Sequence, residues 1–265
     1  MHELQTNVRA SNVVRARRLL QKKFRDSEGA FLVEGPQATR EAAIYSRVRE
    51  LFITPEAAQR YDDIVAAVEN QDGKICISSD DVIAHLASAV SPQGMVAVTS
   101  MSYHPLSSTL HSQSRLVVAL ASVRDPGNAG SVLRVADAVG ADGVIATQES
   151  VDLHNSKVVR ASAGSIFHLP CVEEVELSDA ITQARAFGLQ VLAADGHGEV
   201  LSPAIDLAQP TMWVFGNEAW GLPDEVLSLV DRVVALPIYG KAESLNLATA
   251  VAVCLYASAQ AQHTN

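Results

Sequence analysis

The chain has 265 residues, 48% hydrophobic and 19% charged, which is enough apolar material for a sizeable core and excludes a disordered protein. Its longest apolar run, residues 250–257, is far too short to span a bilayer. The N-terminus lacks an apolar core followed by a small-residue cleavage site, so neither a transmembrane helix nor a standard secretory signal is expected.

From the N-terminus, residues 12–23 suit a short basic helix. Arg9, Arg15, Arg17, Arg18, Lys22, Lys23 and Arg25 fall in one acid-free stretch, which reads either as a solvated helical face or as a phosphate-attracting patch. A strand at 31–33 and a turn at 34–36 lead into a helix at 38–45. Then follow a strand at 48–53, a helix at 57–69 with Ile64, Val65 and Val68 inward, and a strand at 74–77. A helix from Ser79 to 87 and a strand at 94–99 complete a small α/β layer, residues 1–105. The polar, Ser-rich stretch around Pro105 reads as a linker at 106–114.

Residues 115–265 read as a second domain. Residues 116–121 form a continuous apolar strand of the kind buried in parallel sheets. Further strands are expected at 144–146, 166–169, 189–194, 212–215 and 232–236. Helices are expected at 130–139, 155–163, 178–187, 223–230 and 245–261. This βα alternation implies a parallel sheet, whose ligands sit at the carboxyl ends of its strands. The loops at 122–130, 194–200, 216–223 and 237–246 therefore merit attention.

The net charge of −10 argues against a nucleic-acid partner, but its distribution reverses that: residues 1–50 carry +4, 51–110 carry −5 and 111–265 carry −9. Cys76, Cys171 and Cys254 are too few and too far apart for a disulfide framework or a cysteine-based zinc site, and they suit a reducing cytoplasm. The eight histidines show no ligand spacing, so no metal is expected.

Three loops carry candidate chemistry. In the first, Gly127 and Gly130 permit close backbone approach, and Asn128 is either a cap or a ligand hydrogen-bonder. Arg134, expected in the first helical turn, is either part of an anion site or the partner of Asp137. The spacing is not GxGxxG, which weighs against a nucleotide-dependent oxidoreductase. In the second, Gly216 and Gly221 bracket Glu218, a potential acceptor for ligand hydroxyls, and Trp220 stacks on a ligand or merely covers the loop. In the third, Ser244 or Asn246 caps a helix that is apolar nearly all round.

The segments DPGNAGSVLRVADAVGADG, VFGNEAWGLP and LPIYGKAESLNLATAVAVCLYA, in this order over residues 115–260, resemble the three motifs of the SpoU (TrmH) family of RNA ribose methyltransferases. SKVVRASAGSIFHLP resembles the same family. FLVEGPQATREA resembles the substrate-binding domain, similar to ribosomal protein L30e, that precedes the catalytic domain in many members.

The resemblance implies an α/β catalytic domain with a deep trefoil knot, homodimers packed through the knot region, and methyl transfer from S-adenosylmethionine to a ribose 2′-hydroxyl. By motif position it makes Arg134, Asn128, Glu218, Ser244 and Asn246 the catalytic positions. Gly216, Leu236 and Leu245, with Asn217 and Ala194, become cofactor contacts. Arg160 joins the basic segment as an RNA contact. Large-subunit (23S) rRNA is the expected substrate. Transfer RNA, and RNA binding without catalysis, are the alternatives.

Overall fold

The computed structural model describes residues 4–202 and 204–264. The chain divides into two compact units, Met1–Ser102 with His154–His168, and Tyr103–Leu153 with Leu169–Asn265.

The first unit holds a four-stranded mixed sheet in the order β1-β4-β2-β3. Its strands are β1 (Ala30–Glu34), β2 (Val48–Ile53), β3 (Lys74–Ile77) and β4 (Met95–Ser100). Strand β4 runs antiparallel to β1 and β2, and β3 parallel to β2. Around it lie α1 (Ser11–Arg18), α2 (Lys22–Glu28), α3 (Pro36–Tyr45), α4 (Pro55–Arg60), α5 (Asp62–Glu69) and α6 (Asp80–Leu86). Val13, Ala16, Leu32, Phe52, Val82 and Leu86 belong to one buried cluster of this unit.

The single helix expected over 12–23 is two. The N–H groups of Leu19, Leu20 and Gln21 donate to carbonyls three residues back, and Gln21 is extended, so the chain turns to bury Leu19. The helix expected over 57–69 likewise breaks at Tyr61, whose φ of −123° and ψ of 49° are not helical.

The second unit is built on six parallel strands: β5 (Leu116–Leu120), β6 (Gly143–Thr147), β7 (Cys171–Val175), β8 (Gln190–Val200), β9 (Thr211–Phe215) and β10 (Arg232–Ala235). Their order is β10-β8-β9-β5-β6-β7. Its helices are α7 (Pro126–Ala138), α9 (Leu177–Ala186), α10 (Asp224–Leu227) and α11 (Leu247–His263), while α8 (Ser156–Ser162), which follows β6 in the chain, belongs with the first unit. Strands β5, β6 and β9 are buried along their whole length, as their unbroken apolar runs require. From β5 the chain proceeds outward through β6 to β7, then crosses to the other side, where β9 pairs with β5. The sheet thus has a topological switch point between β5 and β9, where a ligand crevice opens in such sheets.

Three sequence expectations for this region change. Helix α7 begins at Pro126, not at 130, because Asp125 accepts a hydrogen bond from the Asn128 N–H and Pro126 suits the first helical position. Residues 165–167 make a 3₁₀ turn, and the strand expected at 166–169 is instead β7, which pairs with β6. The helix expected at 223–230 shortens to α10.

The domain boundaries also differ. Residues 106–114 are not a free linker: Leu110 is fully buried in the second unit's core, and Ser114 Oγ donates to the Thr109 carbonyl at 2.8 Å. Residues 154–168, including α8, cluster with the first unit.

Helix α11 buries Val251, Cys254 and Leu255, and Trp213 Nε1 donates to Ser258 Oγ at 2.9 Å. Burial pushes the Cys171 and Cys254 thiols up to about 12, so neither supplies a thiolate for catalysis. Among the described residues, no helix is long and apolar enough to cross a membrane.

Candidate active site

Three of the four loops expected to matter leave the carboxyl ends of β5, β9 and β10; the fourth, 194–200, is not a loop but the outer part of β8, and the register brings its start level with the ends of β5 and β9. Leu120 of β5 and Ala194 of β8 both pair with Phe215 of β9. Strand β10 pairs with β8 at Ala193, then resumes at Glu199, leaving residues 194–198 outside that ladder. The crossing that follows is close: a Cβ on Gly198 would meet the Val233 carbonyl at 2.5 Å.

The loop after β5 starts at Ser122, which holds a positive φ of 56°. Its N–H donates to Thr147 Oγ1 at 3.0 Å, and its carbonyl accepts from Asn217 Nδ2 at 2.7 Å. The loop after β9 closes on itself. Asn217 and Gly221 exchange backbone hydrogen bonds at 3.0 and 2.9 Å, and Asn217 Oδ1 accepts from the Ala219 N–H. Gly216 has no room for a side chain, because a Cβ there would lie 2.5 Å from the Gly221 carbonyl carbon and oxygen. Asn217 is therefore a buried staple between two loops, and Gly216 is the point at which the turn folds flat.

Asp125 takes the capping role at α7, which leaves the Asn128 side chain for other partners. Asn128 Nδ2 donates to Glu218 Oε1 at 3.0 Å, and Asn246 Nδ2 donates to Asn128 Oδ1 at 2.9 Å. Asn246 Oδ1 caps α11 by accepting from the N–H groups of Ala248 and Thr249. Between the two cap candidates, the structure selects Asn246; Ser244 is exposed in the preceding loop. One side-chain chain, Asn246 to Asn128 to Glu218, thus links all three motif loops.

These loops enclose a cleft of about 470 Å³, within the range of small-molecule sites. Asn128, Glu218, Ser244 and Asn246 line it, and so do Gly216, Asn217, Leu236, Leu245 and Ala194. Arg134 does not. Because α7 starts early, Arg134 lies about two turns into that helix, with an exposed side chain that makes no ion pair or hydrogen bond with any described residue. The Arg134–Asp137 pair left open by the sequence is not formed.

The first unit sorts the basic residues. Arg9, Arg15, Arg17, Arg18, Lys22 and Lys23 are exposed, with Arg15 paired to Glu50 and Lys22 to Asp26. Arg25 departs from the expectation of an RNA contact: it is 3% exposed and donates from Nη1 to the Leu19 carbonyl at 2.8 Å, closing the turn between α1 and α2. Arg160 donates to Ser88 Oγ at 2.8 Å and lies 3.7 Å from Glu34.

The sequence reading did not single out Asp195, Val234, Ile238 or Glu243, which also line the cleft. Asp195, Ile238 and Glu243 fall in the stretches expected to follow strands, and Val234 falls within the expected strand at 232–236. Nor did it pair Arg124 with Trp220, whose ring the guanidinium covers at 5.1 Å.

Residues 115–256 match the SpoU rRNA Methylase family, and residues 11–97 match an MRM3-like substrate binding domain. The chain is 34% identical to an uncharacterized tRNA/rRNA methyltransferase of Synechocystis, over 94% of this chain and 91% of the relative. It is 28% identical to the 23S rRNA (guanosine(2553)-2′-O)-methyltransferase of Bacillus subtilis, over 91% and 92%. Among solved structures it resembles an AdoMet-bound rRNA methyltransferase of Sinorhizobium meliloti, with 31% identity, a TM-score of 0.86 and 97% of each chain covered. With its second unit matched by the family over the length that carries the cleft, the chain belongs to the SpoU rRNA methylase family.

Proposed function

We propose that this protein transfers a methyl group from S-adenosylmethionine to a ribose 2′-hydroxyl in RNA, with 23S rRNA as the substrate. The observation that carries this reading is the Asn246–Asn128–Glu218 chain, which presents hydrogen-bonding groups from three motif loops at the rim of one cleft. The B. subtilis relative, named for 2′-O-methylation of 23S rRNA, supports the substrate class.

The cleft suits the methyl donor. Phe215, Val234, Leu236 and Leu247 supply apolar wall, and Asp195, Glu218 and Glu243 supply carboxylates that complement a cationic ligand. Gly216, Leu236, Leu245, Asn217 and Ala194 would hold it. When bound, the donor supplies a methyl group activated by a sulfonium.

The chain's own residues do the rest. Asn128 and Asn246 fix the Glu218 carboxylate, whose Oε1 is engaged while Oε2 is left open to accept the hydrogen of the ribose hydroxyl. Ser244 lies at the same rim to position the sugar. Arg134 is an awkward base, because a guanidinium stays protonated. As an exposed, unpaired cation it instead holds the adjoining phosphate and stabilises charge building on the attacking oxygen.

Arg9, Arg15, Arg17, Arg18, Lys22, Lys23 and Arg160 contact RNA phosphates. Replacing Arg9, Arg17, Arg18 and Lys23 with glutamine is expected to weaken RNA binding and lower its log–log salt slope by about 3. An unchanged affinity and slope in a filter-binding titration would remove the basic segment from the interface.

The protein forms a homodimer through the region of the trefoil knot expected for the family. Val253 and Tyr256, 44% and 48% exposed on one face of α11, are the apolar surface that supports this. Sedimentation should give twice the chain mass, and Tyr256→Glu should shift it toward the monomer. A native chain that sediments as a monomer at assay concentration contradicts the pairing.

The whole reading is tested by incubating the protein with labelled S-adenosylmethionine and separated rRNA and tRNA. Ribose methylation is scored by blocked alkaline cleavage. Label at a cleavage-resistant position of 23S rRNA is expected, label confined to tRNA would overturn the substrate, and no label in any RNA would overturn the reaction.

A further inference from the structure

Next to the cleft already described lies a second, smaller one of about 120 Å³, on the other side of the Ser122–Asn217 staple. Ser122, Thr147, Gln148, Glu149, Trp220 and Pro223 are among its lining residues, all in the second unit. Trp220 does not line the larger cleft, so its indole is not part of the donor's wall.

Trp220 is 56% exposed although it sits on the same tight turn as Glu218, two residues away. The Arg124 guanidinium lies over this ring, 5.1 Å from its centroid. Gln148 and Glu149 at the rim are exposed, and neither makes a hydrogen bond or ion pair with a described residue.

A flat aromatic wall backed by a planar cation, with a free carboxamide and a free carboxylate at the edge, suits one kind of ligand. A nucleobase has a π face for stacking and an edge of donors and acceptors for hydrogen bonds. Single-stranded RNA is bound on such aromatic platforms, whereas its phosphates seek cations.

We propose that this smaller cleft receives an unstacked nucleobase of the RNA strand that carries the methylated ribose, with Trp220 as the stacking surface, Arg124 as its cationic support and Gln148 with Glu149 reading the base edge. This rests on RNA being the substrate. It adds a specificity element separate from both the donor cleft and the basic segment.

The protein reports on this site by itself. Of its two tryptophans, Trp213 is fully buried and only Trp220 is accessible. Titration with a short, mixed-sequence, single-stranded oligoribonucleotide should quench the exposed emission, and Trp220→Phe should abolish the quench while keeping affinity for labelled RNA within about threefold. Trp220→Ala should lose about tenfold or more in RNA affinity and raise KM for RNA, with S-adenosylmethionine binding by calorimetry unchanged. Arg124→Ala should fall between.

An active native enzyme whose Trp220→Ala variant binds RNA with native affinity and KM would overturn the proposal while leaving the reaction intact. Quenching by RNA in a protein that methylates no RNA would support the platform and overturn the reaction instead.

Discussion

Arg134→Ala is expected to fold, to bind S-adenosylmethionine as the native chain does, and to lose methyl transfer by about 10²–10³-fold, the usual effect of removing one charge-stabilising donor. The structural reason for intact folding is the exposed position of Arg134 on α7, where no described residue pairs with it. The reason for intact donor binding is that it lies outside the cleft lining. Its exposed position outside the cleft, on the helix launched by the first motif, is the basis of the role at the RNA proposed for it.

Lysine at 134 should restore only part of the rate, because it keeps the charge but loses the planar fork that grips a phosphate through two hydrogen bonds. Glu218→Gln separates proton acceptance from charge stabilisation. It keeps the hydrogen bond from Asn128 but removes the basic oxygen, so kcat should fall while KM for RNA holds. Single-turnover rates with saturating RNA read all three variants. Near-native turnover in Arg134→Ala would remove this residue from the reaction.

Gly216→Ala is expected to abolish donor binding at concentrations that saturate the native chain, and to lower the unfolding free energy by about 1–3 kcal/mol. The added Cβ would stand 2.5 Å from the Gly221 carbonyl and 2.8 Å from Leu222 Cγ, and backbone cannot yield as a flexible side chain can. The turn would have to open. Opening it pulls on the Asn217–Gly221 bridge, which carries the staple to Ser122, and on Glu218, which carries the chain to Asn128 and Asn246. One methyl group therefore acts on three loops. Calorimetry with S-adenosylmethionine and a thermal melt distinguish the two effects, and native affinity in this variant would show that the turn tolerates rearrangement.

Much of the fold was legible before any coordinates. The unbroken apolar run at 116–121 reads as a buried parallel strand, and β5 is one over 116–120. The stretches singled out at strand ends do meet around one cleft, because a parallel sheet puts every βα connection of one direction on one edge, although 194–200 continues β8. Where the reading failed, a second residue nearby won a competition that local pattern does not resolve. Asp125 outcompeted Asn128 for the cap of α7, which moved the helix start about one turn earlier and left Arg134 about two turns into the helix. At α11 the sequence left Ser244 and Asn246 open as caps, and the structure selects Asn246. Arg25 looked like one more surface cation, yet the turn at 19–21 faces it inward, where the Leu19 carbonyl accepts its hydrogen bond.

Caps, turns, apolar runs and the motif order are written in stretches of a few residues, so this chain's strands, most of its helices and its family are encoded locally. Which side chains meet is not. Asn128 reaches Glu218 across 90 residues and Asn246 across 118, and both meetings depend on β9 inserting between β5 and β8. The same insertion sets Trp220 beside Arg124 and divides the donor cleft from the smaller one. A strand order is settled by the packing of whole layers, and hydrogen-bond partners separated by a hundred residues come together only after that packing has placed them.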